Sequence, residues 1–338
     1  MGNKMPDIEI RELKKSEYKI WDELVESSPQ GTIFHSSSWL STYSELLNKK
    51  LKIYGCFQDE QLVGGCSLFI RKLGPFKKAL STIRMIPYGG VILGDLQGKS
   101  VRKREHFQRT IINVLCDKFN NNGFDYIHLC NSPSFTDIRP FLWNGWEVGG
   151  VKYTYYLSLS NIESNISRDV RVNIKKAVKN NIIIEKSDDI SSFYELLLMT
   201  LLRQNEQIPV SKNFFENIIE LLYEKEMGEL WIARTPSDEV AAAEIVVFDN
   251  KRAYRWSAAS HTELRKTGAA MLLQYTIAQK LKNKFNEIDL VGANTPNIAE
   301  FKAAFNPKLI PYYIVEKTSI PYTLYKQGHK MVEKIKKW

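Results

Sequence analysis

Two stretches half a chain apart follow one plan, and no other feature of the sequence constrains the fold as much. LKIYGCFQDEQLVGGCSLFI (51–70) and LWIARTPSDEVAAAEIVVF (230–248) each give an apolar strand, an acidic polar turn and a second strand of small, then larger, apolar residues. Hairpins also recur by chance. Here, aligning Val63 with Val240 spaces the copies by about half of the 338 residues, and ~150 residues per domain gives about two domains. The neighbouring patterns follow suit. In the first half come a helix at 39–47, an amphipathic helix at 106–123 ending in Asn-Asn-Gly, and a strand at 124–130. In the second half come helices at 191–203 and 212–225, a strand at 251–260, a helix at 269–284, a strand at 287–293, a helix at 297–305 and a strand at 309–317. This mixture predicts an α/β (α+β) chain of two domains, each a mixed twisted sheet flanked by helices, with boundaries at 1–160 and 161–320 and a basic tail at 321–338.

Composition narrows the class. With 43% hydrophobic and 25% charged residues, a chain of this length buries a full core without staples, which excludes a disulfide-held miniprotein, a disordered tail and a membrane bundle. Cys56, Cys66, Cys116 and Cys130 form no C-x-x-C pair, so zinc and thioredoxin-like chemistry lack support; four buried thiols in a reducing cytosol are expected, and no metal. The start, MGNKMPDIEIRELKKSEYK, has no apolar core of a leader, and Pro6 stands where myristoylation wants Ser or Thr. No apolar run reaches the ~18 residues of a membrane span, so a cytoplasmic location is expected. The net charge of +9 favours anionic partners.

The sharpest motif is Arg265-Lys266-Thr267-Gly268-Ala269-Ala270, between a predicted strand and a long predicted helix. Amides at a helix start, with a small residue allowing close approach, can bind an anion, and Arg265 and Lys266 add charge. The plainer alternative is a basic loop with a glycine turn.

At this point the sequence resembles a family. R-x-x-G-x-A is similar to the pyrophosphate loop of GNAT acyltransferases. The segment Asn294-Thr-Pro-Asn-Ile-Ala-Glu-Phe301-Lys302-Ala-Ala-Phe305 resembles the Fem-type branch, the peptidoglycan-bridge aminoacyltransferases and their acyltransferase relatives. Phe34-His35-Ser36-Ser37-Ser38-Trp39, Pro87-Tyr88-Gly89-Gly90 and RVNIKKAVKN resemble further motifs of that branch, in its order, over roughly residues 30–317. The resemblance implies two tandem GNAT-like domains. It implies transfer of an acyl or aminoacyl group, from acyl-CoA such as acetyl-CoA or from aminoacyl-tRNA, to an amine. The acceptor would be a small or lipid-linked cell-envelope precursor, phosphorylated, such as an amino sugar or a peptidoglycan stem peptide. Members that use aminoacyl-tRNA often insert a long helical hairpin in the second domain; this chain has no such charged insertion, which favours a thioester.

Roles follow. Gly268, with Arg265, Lys266, Ala269 and Ala270, would receive the donor's phosphates. The segment 168–179, read as a helix, places Ile166, Val170, Ile174 and Ala177 on one face and Arg168, Arg171, Lys175 and Lys179 on the other. That basic face is either a solvated surface or an anion site; the resemblance implies acceptor binding, with Arg171 and Lys175 foremost and Arg203, Asn294 and Phe301 beside them. Lys302 is implied as the cation near the reacting carbonyl. Glu244 interrupts the apolar strand AAAEIVVF, so it is a candidate base or a partner for Arg255. His35 and Ser36 give no triad signal, and Trp231, Tyr254 and Trp256 read as core or groove walls. The stretch from Tyr322 onward carries five lysines and one glutamate, and reads either as an amphipathic helix on anionic lipid, making the protein peripheral to the membrane, or as a frayed basic tail. A rival of another class is a non-catalytic GNAT-fold protein that binds RNA or phosphorylated ligands through its basic surface.

Overall fold

In a computed structural model, residues 8–207 and 210–335 are described, with side chains to 328; the leader and Pro6 lie outside them, as do 336–338 of the tail. The chain divides into two compact units, 1–152 with 312–338, and 153–311. The last segment therefore returns to the first unit.

In the first unit the strands are β1 (Ile8–Glu12), β2 (Lys50–Gln58), β3 (Gln61–Leu73), β4 (Phe76–Leu80), β5 (Gly90–Leu93) and β6 (Tyr126–Cys130). The helices are α1 (Tyr18–Ser27), α2 (Ser37–Leu46), α3 (Val101–Asn121) and α4 (Arg139–Trp143). Strand β7 (Glu147–Ser158) carries the chain into the second unit. That unit holds α5 (Ile162–Asn165), α6 (Arg168–Lys179), β8 (Ile183–Ser187), α7 (Ile190–Arg203), α8 (Lys212–Glu224), β9 (Gly228–Arg234), β10 (Val240–Phe248), β11 (Ala253–Ser260), α9 (Ala269–Leu281), β12 (Glu287–Asp289) and α10 (Pro296–Ala303). Strand β13 (Lys308–Thr318) and α11 (Ile320–Ile335) follow.

The two sheets share one pattern. In the first unit the order is β1-β2-β3-β4-β6-β13, with β5 also on β3; in the second it is β7-β12-β11-β10-β9-β8. Each contains one parallel pair, β4 with β6 and β11 with β12, and a long helix, α3 or α9, lies in each crossover. The predicted hairpins are β2–β3 and β9–β10. The core of the first unit gathers Cys56, Cys66, Ile111, Leu115, Phe119 and Leu129 between α3 and its sheet. All four cysteines are buried and free; burial pushes the Cys56 and Cys116 thiols up to about 12 and Cys130 to about 11, so they are packing groups.

The core of the second unit gathers Val170 and Ala177 from α6, Leu273, Ile277 and Ala278 from α9, and Ala242 and Val246 from β10. Every residue of β10 is buried, Glu244 included. Trp231, Tyr254 and Trp256 are buried, as expected of core groups.

One element departs from expectation, and in the tail one of the two readings is realised. Segment 287–293 was expected as one strand but pairs only over Glu287–Asp289, because Val291 (φ +47) and Gly292 (φ +79) turn left-handed. The basic tail is not frayed over the described residues: α11 seats Tyr322 at ring-centroid distances of 5.1 Å from Phe76 and 5.4 Å from Tyr126. His35 accepts the backbone N–H of Thr32 on Nδ1 at 3.2 Å, and the Ser36 hydroxyl caps α2, so both serve local structure.

Candidate functional site

The loop before α9 is built around Gly268. Its φ of +86 lies in the left-handed region, and a Cβ there would stand 2.2 Å from the backbone oxygen of Asn173 on α6. Only glycine lets the loop rest on that helix. Thr267 Oγ1 donates to the Leu264 oxygen at 2.6 Å and accepts from the Ala269 N–H at 3.3 Å, while Asn180 Nδ2 donates to the Thr267 oxygen at 3.4 Å. Ala269 is buried, Ala270 half-buried, and Arg265 and Lys266 reach solvent. Arg203, expected with the acceptor, comes to this loop instead: its NH1 donates to Thr262 Oγ1 at 3.0 Å and to the Ser260 oxygen at 3.5 Å. Partial burial and the nearby Arg265 hold its guanidinium below the ordinary value.

Beside this loop the sheet splits. The parallel pairing of β11 and β12 covers only Ala253–Ile288 and Tyr254–Asp289. Beyond it β11 runs on from Arg255 to Ser260, paired with β10 on one edge; no strand of the described residues pairs with its other edge. The bare edge spans about 17 Å at ~3.3 Å per residue.

Polar side chains close the mouth of the split. Asp289 Oδ1 accepts the Thr154 hydroxyl at 2.5 Å and the Val291 N–H at 2.8 Å, and the Gly292 N–H donates to Thr154 Oγ1 at 3.2 Å. Lys302, 5% exposed, donates from Nζ to the Val291 oxygen at 2.6 Å and the Gly292 oxygen at 2.7 Å. A β-branched residue at φ +47 is strained, and these bonds hold it there. Burial, with Arg255 as a second cation, brings Lys302 down to about 7, against the pull of Asp289 and Glu244. Between pH ~7 and ~10.5 the unfolded chain keeps a proton on this lysine that the native chain has released. Stability therefore gains with rising pH through that window. Urea midpoints of wild type and Lys302→Met across it check this; the gain is expected to disappear in the variant.

Glu244 lies 1% exposed in β10, and its Oε2 accepts Arg255 Nε at 2.8 Å. Desolvation raises its carboxyl above the ordinary value, opposed by Arg255 and Lys302. Its Oε1 has no hydrogen-bond partner among the described residues. The structure thus realises the alternative that Glu244 partners Arg255. Arg255→Met is expected to cost about 3–5 kcal/mol, because a buried carboxylate loses its counter-ion; Glu244→Gln added to it recovers much of the loss. Denaturant midpoints of the two singles and the double check this.

The remaining candidates divide. The Phe301 ring lies 5.3 Å under the Arg255 guanidinium, at the split. Asn294 accepts the Tyr153 N–H at 2.8 Å and donates to its oxygen at 3.2 Å, so its amide completes the backbone of β7. Arg171 donates to the Ser164 oxygen at 2.8 Å, and Lys175 stands exposed on the same helix, with Arg168, Lys176 and Lys179 also exposed. The buried face of α6 is the expected one. Thr154 and Asp289 were missed in the sequence; an Asp between apolar residues in EIDLVGA was the available signal. No group of three or more His, Cys, Asp or Glu among the described residues can hold a metal ion.

Known proteins share this fold. Residues 164–303 match the family model described as an acetyltransferase (GNAT) domain. The crystal structure of FemX superposes with a TM-score of 0.72 at 15% identity, over 94% of this chain and 99% of that one. The chain has a Fem-like tandem GNAT fold. A tandem GNAT protein from the clavulanic acid biosynthesis pathway gives a TM-score of 0.55 at 12% identity, over 92% of this chain and 98% of that one. The C-terminal domain of a putative lysylphosphatidylglycerol synthetase from Agrobacterium fabrum gives 0.58 at 12%, over 94% and 96%. No curated protein matches the chain. Within the matched GNAT domain, Gly268 lies in the chain between β11 and α9, and β12 follows α9.

Proposed function

We propose that the GNAT domain transfers an acyl group from a coenzyme A thioester to a primary amine of a phosphorylated or lipid-linked cell-envelope precursor. The bare edge of β11 carries this reading. It leads from a glycine-opened, arginine-flanked loop to a buried cation at Lys302. The donor's phosphates would sit at the amides of Gly268, Ala269 and Ala270, with Arg265, Lys266 and Arg203 beside them. Its extended arm would run along the edge of β11 between Arg255 and Ser260 that no described strand pairs, stopping at Ser260, whose N–H and oxygen bond Thr200.

In the reaction the amine nitrogen attacks the thioester carbonyl carbon. The N–C bond forms, negative charge gathers on the carbonyl oxygen, and the C–S bond breaks to release the thiol. Lys302, whose ammonium has one N–H left after its two carbonyl bonds, would stabilise the oxyanion. Glu244 Oε1 is the acceptor available to relay the amine's proton, through water. Arg171 and Lys175 would steer an anionic acceptor. Between β11 and β13 the chain has a short 3-10 turn (Glu263–Thr267), α9, β12 and α10, without a long inserted helical hairpin, which supports the thioester over aminoacyl-tRNA. The cell-envelope acceptor is supported by the likeness to FemX and to the lysylphosphatidylglycerol synthetase domain.

Thiol release from acetyl-CoA with a panel of nucleotide-linked amino sugars and stem-peptide amines tests the reading. Amine-dependent release is expected. Salt-dependent RNA binding by the exposed cations of α6, with no release for any amine, would favour the non-catalytic reading instead.

A further inference from the structure

We propose that α11 and the β3–β4 hairpin together form a docking surface for an anionic lipid membrane. Ile320 and Leu324, one helical turn apart, are 79% and 63% exposed, whereas Tyr322 on the opposite face is buried against Phe76 of the hairpin and Tyr126. In the sequence, apolar residues recur at the same helical spacing at 331 and 335. The sequence also spaces Lys326, Lys330 and Lys334 at four-residue intervals. An apolar stripe flanked by lysines is the pattern of a helix lying in a membrane interface.

The hairpin adds an independent observation. Phe76 packs on Tyr322 and Tyr325 at 5.1 and 5.0 Å, which joins the hairpin to the helix. Arg71, Lys72, Lys77 and Lys78 flank that ring, and the segment 71–78 contains no acid. Segments 71–78 and 320–338 hold nine Lys and Arg against one Glu, a net +8 out of the chain's formal +9. Among nearby acids, Glu316 accepts the Tyr126 hydroxyl, and Asp125 accepts Ser319 Oγ and the Lys77 N–H. Lys77 Nζ donates to the Asn122 oxygen, and Lys78 and Lys326 lie over the Tyr126 and Tyr322 rings; these contacts are with neutral groups, so the positive charge is left to meet anionic headgroups. RNA would satisfy the cations but leave the Ile320–Leu324 stripe in water, and a second copy would bring +8 against +8. No described helix is long and apolar enough to cross a membrane, so the contact is peripheral. The surface belongs to the first unit and does not depend on the thioester reading.

Co-sedimentation of the full chain with vesicles tests this without any substrate. Binding to vesicles of phosphatidylglycerol and phosphatidylcholine is expected to exceed that to phosphatidylcholine alone by about tenfold or more, and to fall steeply with salt. Leu324→Glu and Arg71→Glu/Lys72→Glu, all at exposed positions, are each expected to lower it about tenfold with unchanged urea midpoints. Equal partition into both vesicle types, undiminished binding by both variants, or preference for RNA over anionic vesicles overturns the proposal. Acetyl-CoA titrations of the same variants are expected to match wild type, which separates failure here from failure of the transferase reading.

Discussion

Lys302→Met is expected to lower kcat by about 100-fold or more while leaving KM for the thioester within about threefold. The ammonium is buried where β11 and β12 part, and two of its three N–H groups are held by the oxygens of Val291 and Gly292. The third is positioned before the reaction begins, so it costs little reorganisation when the carbonyl oxygen gains charge. The role requires the protonated lysine, which burial and Arg255 bring down to about 7. The rate therefore rises with pH as the acceptor amine deprotonates and falls as pH climbs past about 7. Lys302→Arg keeps its charge throughout, so any activity it retains is expected to lose the upper arm of the profile. A pH–rate profile of all three proteins separates chemistry from support: unchanged kcat in Lys302→Met would reduce Lys302 to a clamp on the left-handed turn.

The second large effect is at Gly268. Gly268→Ala is expected to abolish thioester binding, with affinity falling about 100-fold or more, and to cost more than about 1 kcal/mol in stability. Two causes add: an L-residue at φ +86, and a Cβ placed 2.2 Å from the Asn173 oxygen. The contact is with backbone, so relief requires the loop to lift off α6 and carry Arg265 and the first amides of α9 away from their places. Arg265→Ala removes only charge, so it should weaken binding more modestly and reduce its salt dependence. Urea midpoints with calorimetric titration resolve the two consequences. Wild-type affinity in Gly268→Ala would show that the loop does not hold the donor.

Several of these groups could be read from the sequence because their signals are local. R-x-x-G-x-A between a strand and a helix marked Gly268, and a glutamate inside AAAEIVVF marked a buried charge whose partner on the next strand was nameable. The amphipathic spacing of 168–179 gave both faces of α6. What escaped depends on long-range geometry. EIDLVGA carries strand residues throughout, yet it ends at Asp289 because Lys302, Thr154 and Asp289 hold Val291 in a conformation its own propensity opposes. The partners of Arg203 and Asn294 are likewise long-range: the first bonds Thr262 before the Gly268 loop and the second the backbone of Tyr153. For the tail the local pattern left a helix and a frayed end both open; the contacts of Tyr322 with Phe76 and Tyr126, far away in the sequence, accompany the helix.

The central claim is that one thioester site lies along β11 of the second unit, and calorimetric titration with acetyl-CoA tests it most directly. Saturable binding with a stoichiometry of about one is expected, lost in Gly268→Glu, where a carboxylate would face the donor's phosphates. No heat at millimolar ligand, or binding that survives Gly268→Glu, would contradict it and turn attention to aminoacyl-tRNA as the donor.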